Sequence, residues 1–187
     1  MGYRIGMKKI IAAAYAYDST AQTDPTSYSS PVYLGEAMTG TFTPNYASAS
    51  LFGDDHKVDE VNEFTDMSVE LGVTKLPAAA HALLFGRTVS GEEVTEKTTD
   101  DAAYVGIGFI AKETGGTYTA VIIPKVKFSA GAETFTTKGE SVTYNTPSIS
   151  GTAIGRDEDL QYKISKGGFA TEASALAYVT DELGIPA

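Results

Sequence analysis

The chain has 187 residues, no cysteine, no tryptophan and a formal net charge of −10 at pH 7. The lack of cysteine excludes a disulfide framework, a thiolate nucleophile, an iron–sulfur cluster and every zinc site that uses sulfur. The length fits one domain, which we expect to span residues 1–187 around a hydrophobic core. No apolar run reaches the ~20 residues that cross a bilayer, so we predict no membrane segment.

The negative charge is concentrated in the middle of the chain. Residues 51–100 hold eleven acidic and four basic side chains, which accounts for −7 of the net −10. The sequence has no basic stripe of the kind that gives nucleic-acid-binding proteins their affinity. We therefore predict no specific binding to DNA or RNA.

Strands dominate the predicted secondary structure. β-branched and aromatic residues are frequent, and the 19 glycines fall largely between runs of them. The pattern predicts strands at residues 7–17, 37–43, 47–52, 58–64, 67–73, 103–112, 118–128, 140–146 and 148–154. Two polar segments, residues 20–31 and 89–101, read as loops.

Glycines mark two special features of the strand at residues 103–112. Gly106 and Gly108 lie on the same face of this strand, which leaves room for another element to approach closely. Gly115 and Gly116 follow the strand and predict a hairpin to the next one.

Two segments have helical rather than strand periodicity. In the first, about residues 76–86, apolar residues recur at helical spacing, with Pro77 in the first turn and Gly86 as a stop. In the second, about residues 171–183, Thr171 can cap the N-terminus. We therefore predict a mainly β fold, a two-sheet β-sandwich or open barrel with one short flanking helix and a C-terminal helix.

An acidic segment at residues 51–64 contains five carboxylates and His56, one of the two histidines. A calcium loop that starts at Asp55 would place Lys57 at position 3 and Glu60 at position 6, which need an acid or amide and a glycine. His56 has no second histidine at helical spacing to complete a zinc site. We expect no metal and no cofactor here, and interpret residues 53–57 as the turn of a hairpin.

No catalytic motif is complete in the sequence. Residues 106–111 match GxGxxA, but a dinucleotide site needs a helix after these glycines, and a strand is predicted there. There is no GxSxG elbow, and His81 lies on the first predicted helix, at the edge of the core. Acid pairs such as Glu92 with Glu93, or those within residues 157–159, lie in predicted loops without the tryptophan typical of a sugar cleft. We therefore expect no enzyme.

Five segments, in order, resemble the major tail protein family of long-tailed, non-contractile bacteriophages. They are YRIGMKKIIAAAY (3–15), AMTGTFTPNYASASLFGDD (37–55), VELGVTKLP with ALLFG (69–86), AYVGIGFIAKETGGTYTAVIIPKVKFS (103–129) and ETFTTKGESVTYNTPSISGTAIG (133–155). The chain departs from many relatives at Ile123 and Pro124, and it has a predicted helix where some relatives carry an immunoglobulin-like addition.

The resemblance implies a structural virion protein of the tail tube, synthesised in the host cytoplasm. Its subunits would form hexameric rings that stack into a tube, with a tape-measure protein inside and tail terminator and baseplate proteins at the ends. DNA would pass through the lumen without specific binding, and no membrane would be involved. Tube proteins of contractile tails and of type VI secretion share this architecture, so the subclass stays open.

In such a subunit the acidic hairpin would reach a neighbour. We predict that its tip contacts the next ring or lines the lumen, through Asp54, Asp55, His56, Lys57 and Asp59. Two alternatives come from other classes. One is a monomeric carbohydrate- or surface-binding β-sandwich that uses the tyrosines Tyr28 and Tyr33, and the other is a metal-assisted hydrolase centred on Asp54, Asp55 and His56.

Overall fold

The computed structural model describes residues 2–16, 28–131, 137 and 146–185. Over these residues the chain forms ten strands and two helices. In chain order they are β1 (Arg4–Ala14), β2 (Ser29–Tyr33), β3 (Ala37–Gly53), β4 (His56–Val73), α1 (Ala78–Phe85), β5 (Thr88–Ser90), β6 (Glu93–Thr95), β7 (Tyr104–Glu113), β8 (Tyr118–Ser129), β9 (Ser148–Ala153), β10 (Ile164–Phe169) and α2 (Glu172–Glu182). The predicted mainly β fold with two short helices is confirmed.

Eight of the strands form one antiparallel sheet. Seven of them follow the order β2-β1-β7-β8-β9-β4-β3, and the eighth, β10, pairs with β8. Strand β8 is long enough to pair along one edge with two partners, β9 near its C-terminal end and β10 near its N-terminal end. Strands β5 and β6 form a separate two-stranded ribbon. The described strands thus lie in one continuous sheet rather than in the two sheets of a sandwich.

This sheet is strongly curled. The rings of Phe42 on β3 and Phe109 on β7 stack with their centroids 5.1 Å apart, although three strands separate β3 from β7 in the sheet order. The Met7 side chain on β1 covers Gly40 on β3, where an added Cβ would lie 2.8 Å from its Cε. Of the two arrangements predicted, the structure therefore corresponds to the open barrel.

The core has two parts, one on each face of the sheet. Inside the curl, large side chains such as Leu71, Ile107 and Ile123 pack with Leu84 of α1. On the outer face, α2 packs Val179 and other apolar residues against β7 and β8. Neither helix is long and apolar enough to cross a membrane in the part of the chain that the structure describes.

The glycines of β7 make the outer packing possible, as predicted. A Cβ at Gly108 would lie 2.3 Å from Val179 of α2, and a Cβ at Gly106 would lie 2.5 Å from the ring of Tyr28. Both distances are shorter than a non-bonded contact between two carbon atoms, so any larger residue would force the neighbouring side chain or element to shift. The GxGxxA match lies inside β7 and leads through a turn to β8, so no helix follows these glycines.

The predicted signals lie at both ends of α1 and at the start of α2, although Pro77 is the residue before the first turn rather than in it. Pro77 is the N-cap of α1, and Gly86 ends it with a φ of 69° and an N–H that donates to the Ala82 carbonyl. The Thr171 side chain caps α2 by accepting a hydrogen bond from the Ser174 N–H.

Five parts of the prediction differ from the structure. Residues 37–43 and 47–52 form the single strand β3, and residues 58–64 and 67–73 form the single strand β4. The loop predicted at residues 20–31 overlaps β2, and the one at residues 89–101 contains most of the short ribbon β5–β6. Strand β10 was not predicted. The strand predicted at residues 140–146 lies, except for its last residue, outside the described residues.

Candidate functional site: a projecting hairpin arm

The most unusual feature of the molecule is the outer part of the β3–β4 hairpin. These strands pair with each other from Ala37 and Val73 out to Gly53 and His56. Strand β9 pairs with the other edge of β4 only over residues 67–72. We call residues 45–66, which extend beyond this point, the arm. At ~3.3 Å per residue the arm is roughly 25 Å long.

The arm is surrounded by solvent in the described structure. All of its residues are exposed except Gly53, Phe64 and Asp66, which are half-buried. Over this length neither edge of the two-stranded ribbon pairs with a further strand among the residues described. Its backbone N–H and C=O groups are therefore available on both edges for pairing with another chain.

The tip of the arm is a two-residue turn at Asp54 and Asp55, as predicted. Their φ angles of 48° and 62° both lie in the left-handed region. A tight hairpin turn of type I′ needs this conformation at both positions, and aspartate adopts it more readily than most residues. Beside the turn, Lys57 pairs with Glu60 at 2.6 Å, and His56 Nδ1 lies 3.1 Å from the Asp54 carbonyl oxygen.

The structure brings the predicted site residues together at this tip. All five are exposed: Asp54, Asp55, His56, Lys57 and Asp59. Across the described ranges, no three histidine or carboxylate side chains converge in a way that could hold a metal ion. The tip is a charged turn whose acids point to solvent.

Sequence reasoning missed the apolar residues beside these charges. The cross-strand pairs Ala49–Val61 and Leu51–Asp59 place Leu51 and Val61 on one face of the ribbon. Leu51 is 63% exposed and Val61 is 59% exposed. The alternation along β3 places Phe52, which is 69% exposed, on the other face. Large apolar side chains that are exposed close together on one ribbon make the arm a candidate interaction surface.

An aromatic cluster fixes the base of the arm to the body. The rings of Phe64 and Tyr162 stack with centroids 4.1 Å apart, and Tyr46 meets Phe64 edge-on at 6.0 Å. A hydrogen bond with Tyr46 raises the pKa of the Tyr162 hydroxyl. Tyr162 lies in a segment for which no element was predicted, so only the fold reveals this cluster. These ring contacts fix the angle at which the arm extends from the sheet.

The other candidate residues are engaged in structural contacts. His81 Nδ1 lies 2.8 Å from Arg87 Nη1, and Arg87 in turn pairs with Glu96 at 2.9 Å. In the acidic segment 157–159, the two aspartates form ion pairs with Lys125 and Arg156.

The two tyrosines of the surface-binding alternative differ in their placement. Tyr33 is exposed, whereas Tyr28 is buried and its hydroxyl donates to the Pro124 carbonyl at 3.1 Å. Because Tyr28 fills the space above Gly106, it is a core residue and cannot serve as a surface platform for a sugar. This part of the sequence-based alternative is wrong.

No protein-family model matches this chain, and a comparison with curated proteins finds no match either. The geometry of the arm is the observation on which the proposed function depends.

Proposed function

We propose that this protein is a self-assembling structural subunit of the kind that forms stacked rings in a phage tail tube. The arm is the observation that carries this proposal. A two-stranded hairpin is marginally stable on its own in water, so a ribbon roughly 25 Å long that exposes Leu51, Phe52 and Val61 gains stability when another chain covers it. Burial of these side chains would provide the driving force for association.

A second copy of the chain is the partner that suits this surface best. The outer edge of β3 is unpaired along its described length, and such an edge can extend a sheet into a neighbouring subunit. A contact between the arm and a different surface of the neighbouring copy would be heterologous. Heterologous contacts produce closed rings when the rotation between subunits closes, and stacks or filaments when it does not.

The remaining details of the proposal come from the resemblance in sequence. It supplies the hexameric ring, the stacked tube, the location in the virion, and the tape-measure, terminator and baseplate proteins as partners. A surface with a net charge of −10 would repel rather than hold the DNA that passes through such a tube. The tip residues Asp54 to Lys57 would then meet the next ring or face the lumen. The contractile and secretion-system relatives are the alternative subclass.

Electron microscopy of the purified, concentrated full-length chain tests the proposal. We expect rings or tubes with a central hole. A protein that stays a strict monomer under all conditions would contradict the proposal. If that monomer bound glycans saturably on an array, the surface-binding alternative would replace it.

A further inference from the structure

We infer that the acidic arm of one copy docks on a basic segment at the start of β1 in a second copy. We define the basic segment as residues 3–9. The inference rests on the proposed self-assembly and names the surface that receives the arm. It follows from the distribution of charged and apolar groups on the two surfaces.

The arm has more carboxylates than it can neutralise itself. It carries six of them and a single lysine, Lys57, which already pairs with Glu60. Asp59 and Glu63 form no ion pair among the described residues, and the strand register places both on the face that carries Leu51 and Val61. This face is therefore an apolar strip with uncompensated negative charge along it.

The basic segment has the opposite charge and a similar exposure of apolar groups. Its sequence, YRIGMKK, contains three cations and no acid. Lys8 pairs with Glu172 of α2 at 3.2 Å, which leaves Arg4 and Lys9 without an ion pair among the described residues. Tyr3 is 84% exposed and Ile5 is 59% exposed, so apolar side chains lie between the charges here as well. The two surfaces thus match in both charge and polarity, which is the pattern that steers association and fixes register.

Other cations of the body do not offer such a surface. Arg87, Lys125, Lys127 and Arg156 each pair with an acid of the same chain. By contrast, Arg4, Lys9, Lys112 and Lys163 have no ion pair within the described ranges, and the sheet register sets Lys112 opposite Gly6 of the basic segment. Burial, and then the charge of nearby Arg4, lowers the pKa of Lys163. Three further lysines without an ion pair in the described ranges are not part of the basic segment and do not pair with it in the sheet: Lys75, Lys97 and Lys166. The start of β1 therefore carries unpaired positive charge next to that of Lys112 and Lys163.

A charge swap between the two surfaces tests the inference. The arm variant is Asp59→Lys/Glu63→Lys, which reverses the two acids on the apolar strip that form no ion pair among the described residues. The receiving variant is Arg4→Glu/Lys9→Glu, which breaks no ion pair within the described residues. We expect each double variant alone to raise the concentration needed for assembly about tenfold or more, because like charges would face each other. The four substitutions together should bring that concentration back to within about threefold of the parent value.

The control variant Lys75→Glu/Lys97→Glu reverses two exposed lysines that lie outside the basic segment. It should assemble as the parent does. Circular dichroism and thermal unfolding of every variant verify that the body is folded. Should a reversal variant fail to fold, neutral variants at the same positions (Asp59→Asn/Glu63→Gln and Arg4→Gln/Lys9→Gln) should each weaken assembly and make it less sensitive to salt.

The outcomes separate this inference from the proposed function. Assembly that is blocked by the arm reversal but unaffected by the reversal on β1 would overturn the inference and leave self-assembly intact. Failure of the combined variant to recover would also overturn it. A parent protein that never assembles would overturn the inference together with the proposed function.

Discussion

Glu113 is a buried carboxylate at the end of β7 that holds the start of the chain against the sheet. It accepts hydrogen bonds from the Thr119 hydroxyl at 2.5 Å, the Thr117 hydroxyl at 3.0 Å and the Gly2 N–H at 3.1 Å. These bonds, the one from Thr119 foremost, favour the ionised form and lower the pKa of Glu113 below its usual range. By binding the Gly2 N–H, Glu113 fixes the position of the basic segment, which begins at Tyr3.

The effect of Glu113 on stability should depend on pH. Because its pKa is lower in the folded than in the unfolded chain, its contribution is fully present above the unfolded pKa of ~4.3 and is lost as the pH falls through the folded pKa. We expect Glu113→Gln to lower the free energy of unfolding at neutral pH, and the difference from the parent to shrink on acidification. Urea titrations across this pH range measure it, with Glu92→Gln on an exposed turn as control. A difference that does not change with pH would contradict the assigned role.

At the scale of elements, the packing of α2 on the sheet depends on the absence of a side chain at one position. Strand β7 presents Gly108 to Val179, and the helix sits so close that no Cβ fits between them. In the sequence, Gly108 and its neighbour Gly106 formally match a nucleotide-binding loop. The structure shows that their use is in packing the helix.

We expect Gly108→Ala to destabilise the protein by about 1–3 kcal/mol, because α2 must shift to relieve the clash. Gly6→Ala is the matched control, since Gly6 also lies in a strand but a Cβ there meets nothing within 4 Å. Thermal or urea unfolding of both variants gives the comparison. Equal stability of the two variants would show that α2 is not closely packed on β7.

The sequence pattern predicts the hairpin turn of the arm, but it predicts two short strands in place of each of the long strands β3 and β4. The predicted gaps, residues 44–46 and 65–66, fall where the register of β3 and β4 shifts between Asn45 and Tyr46, with Thr65 left without a partner. Such a bulge interrupts the alternation of side chains that a strand prediction uses, while the strand itself continues. Pro44 added to the apparent break, and it is tolerated because β3 lies at the edge of the sheet.

Features that depend on distant contacts could not be predicted in the same way. The Phe64–Tyr162 stack joins residues nearly a hundred positions apart, and β10 is a short strand with two glycines and a weak pattern. Tyr28 looked like part of an exposed tyrosine-rich loop because nothing local indicates that Gly106 leaves a space for its ring. The exposure of Leu51 and Val61 is likewise a property of the fold, since the same residues would be buried where another layer of the protein covers the sheet.

The body and the arm of the molecule have separate roles, folding for the body and association for the arm. The curled sheet and its two helices bury both parts of the core, and no fully buried core residue comes from the arm. The arm adds no core residue beyond its base, yet it carries exposed apolar side chains and most of the acidic excess of the chain's middle section. Such an arrangement suits a subunit that folds first and assembles afterwards.

Sedimentation velocity of the full chain and of an arm-shortened variant, over a wide series of concentrations, tests this account most directly. In the variant, Asn-Gly replaces residues 48–62 and joins the facing pair Ala47 and Glu63, so that the cluster of Tyr46, Phe64 and Tyr162 stays intact. We expect the full chain to form large assemblies as its concentration rises, and the shortened chain to remain a folded monomer. A full chain that sediments as a monomer throughout, or a shortened chain that assembles equally well, would contradict this expectation.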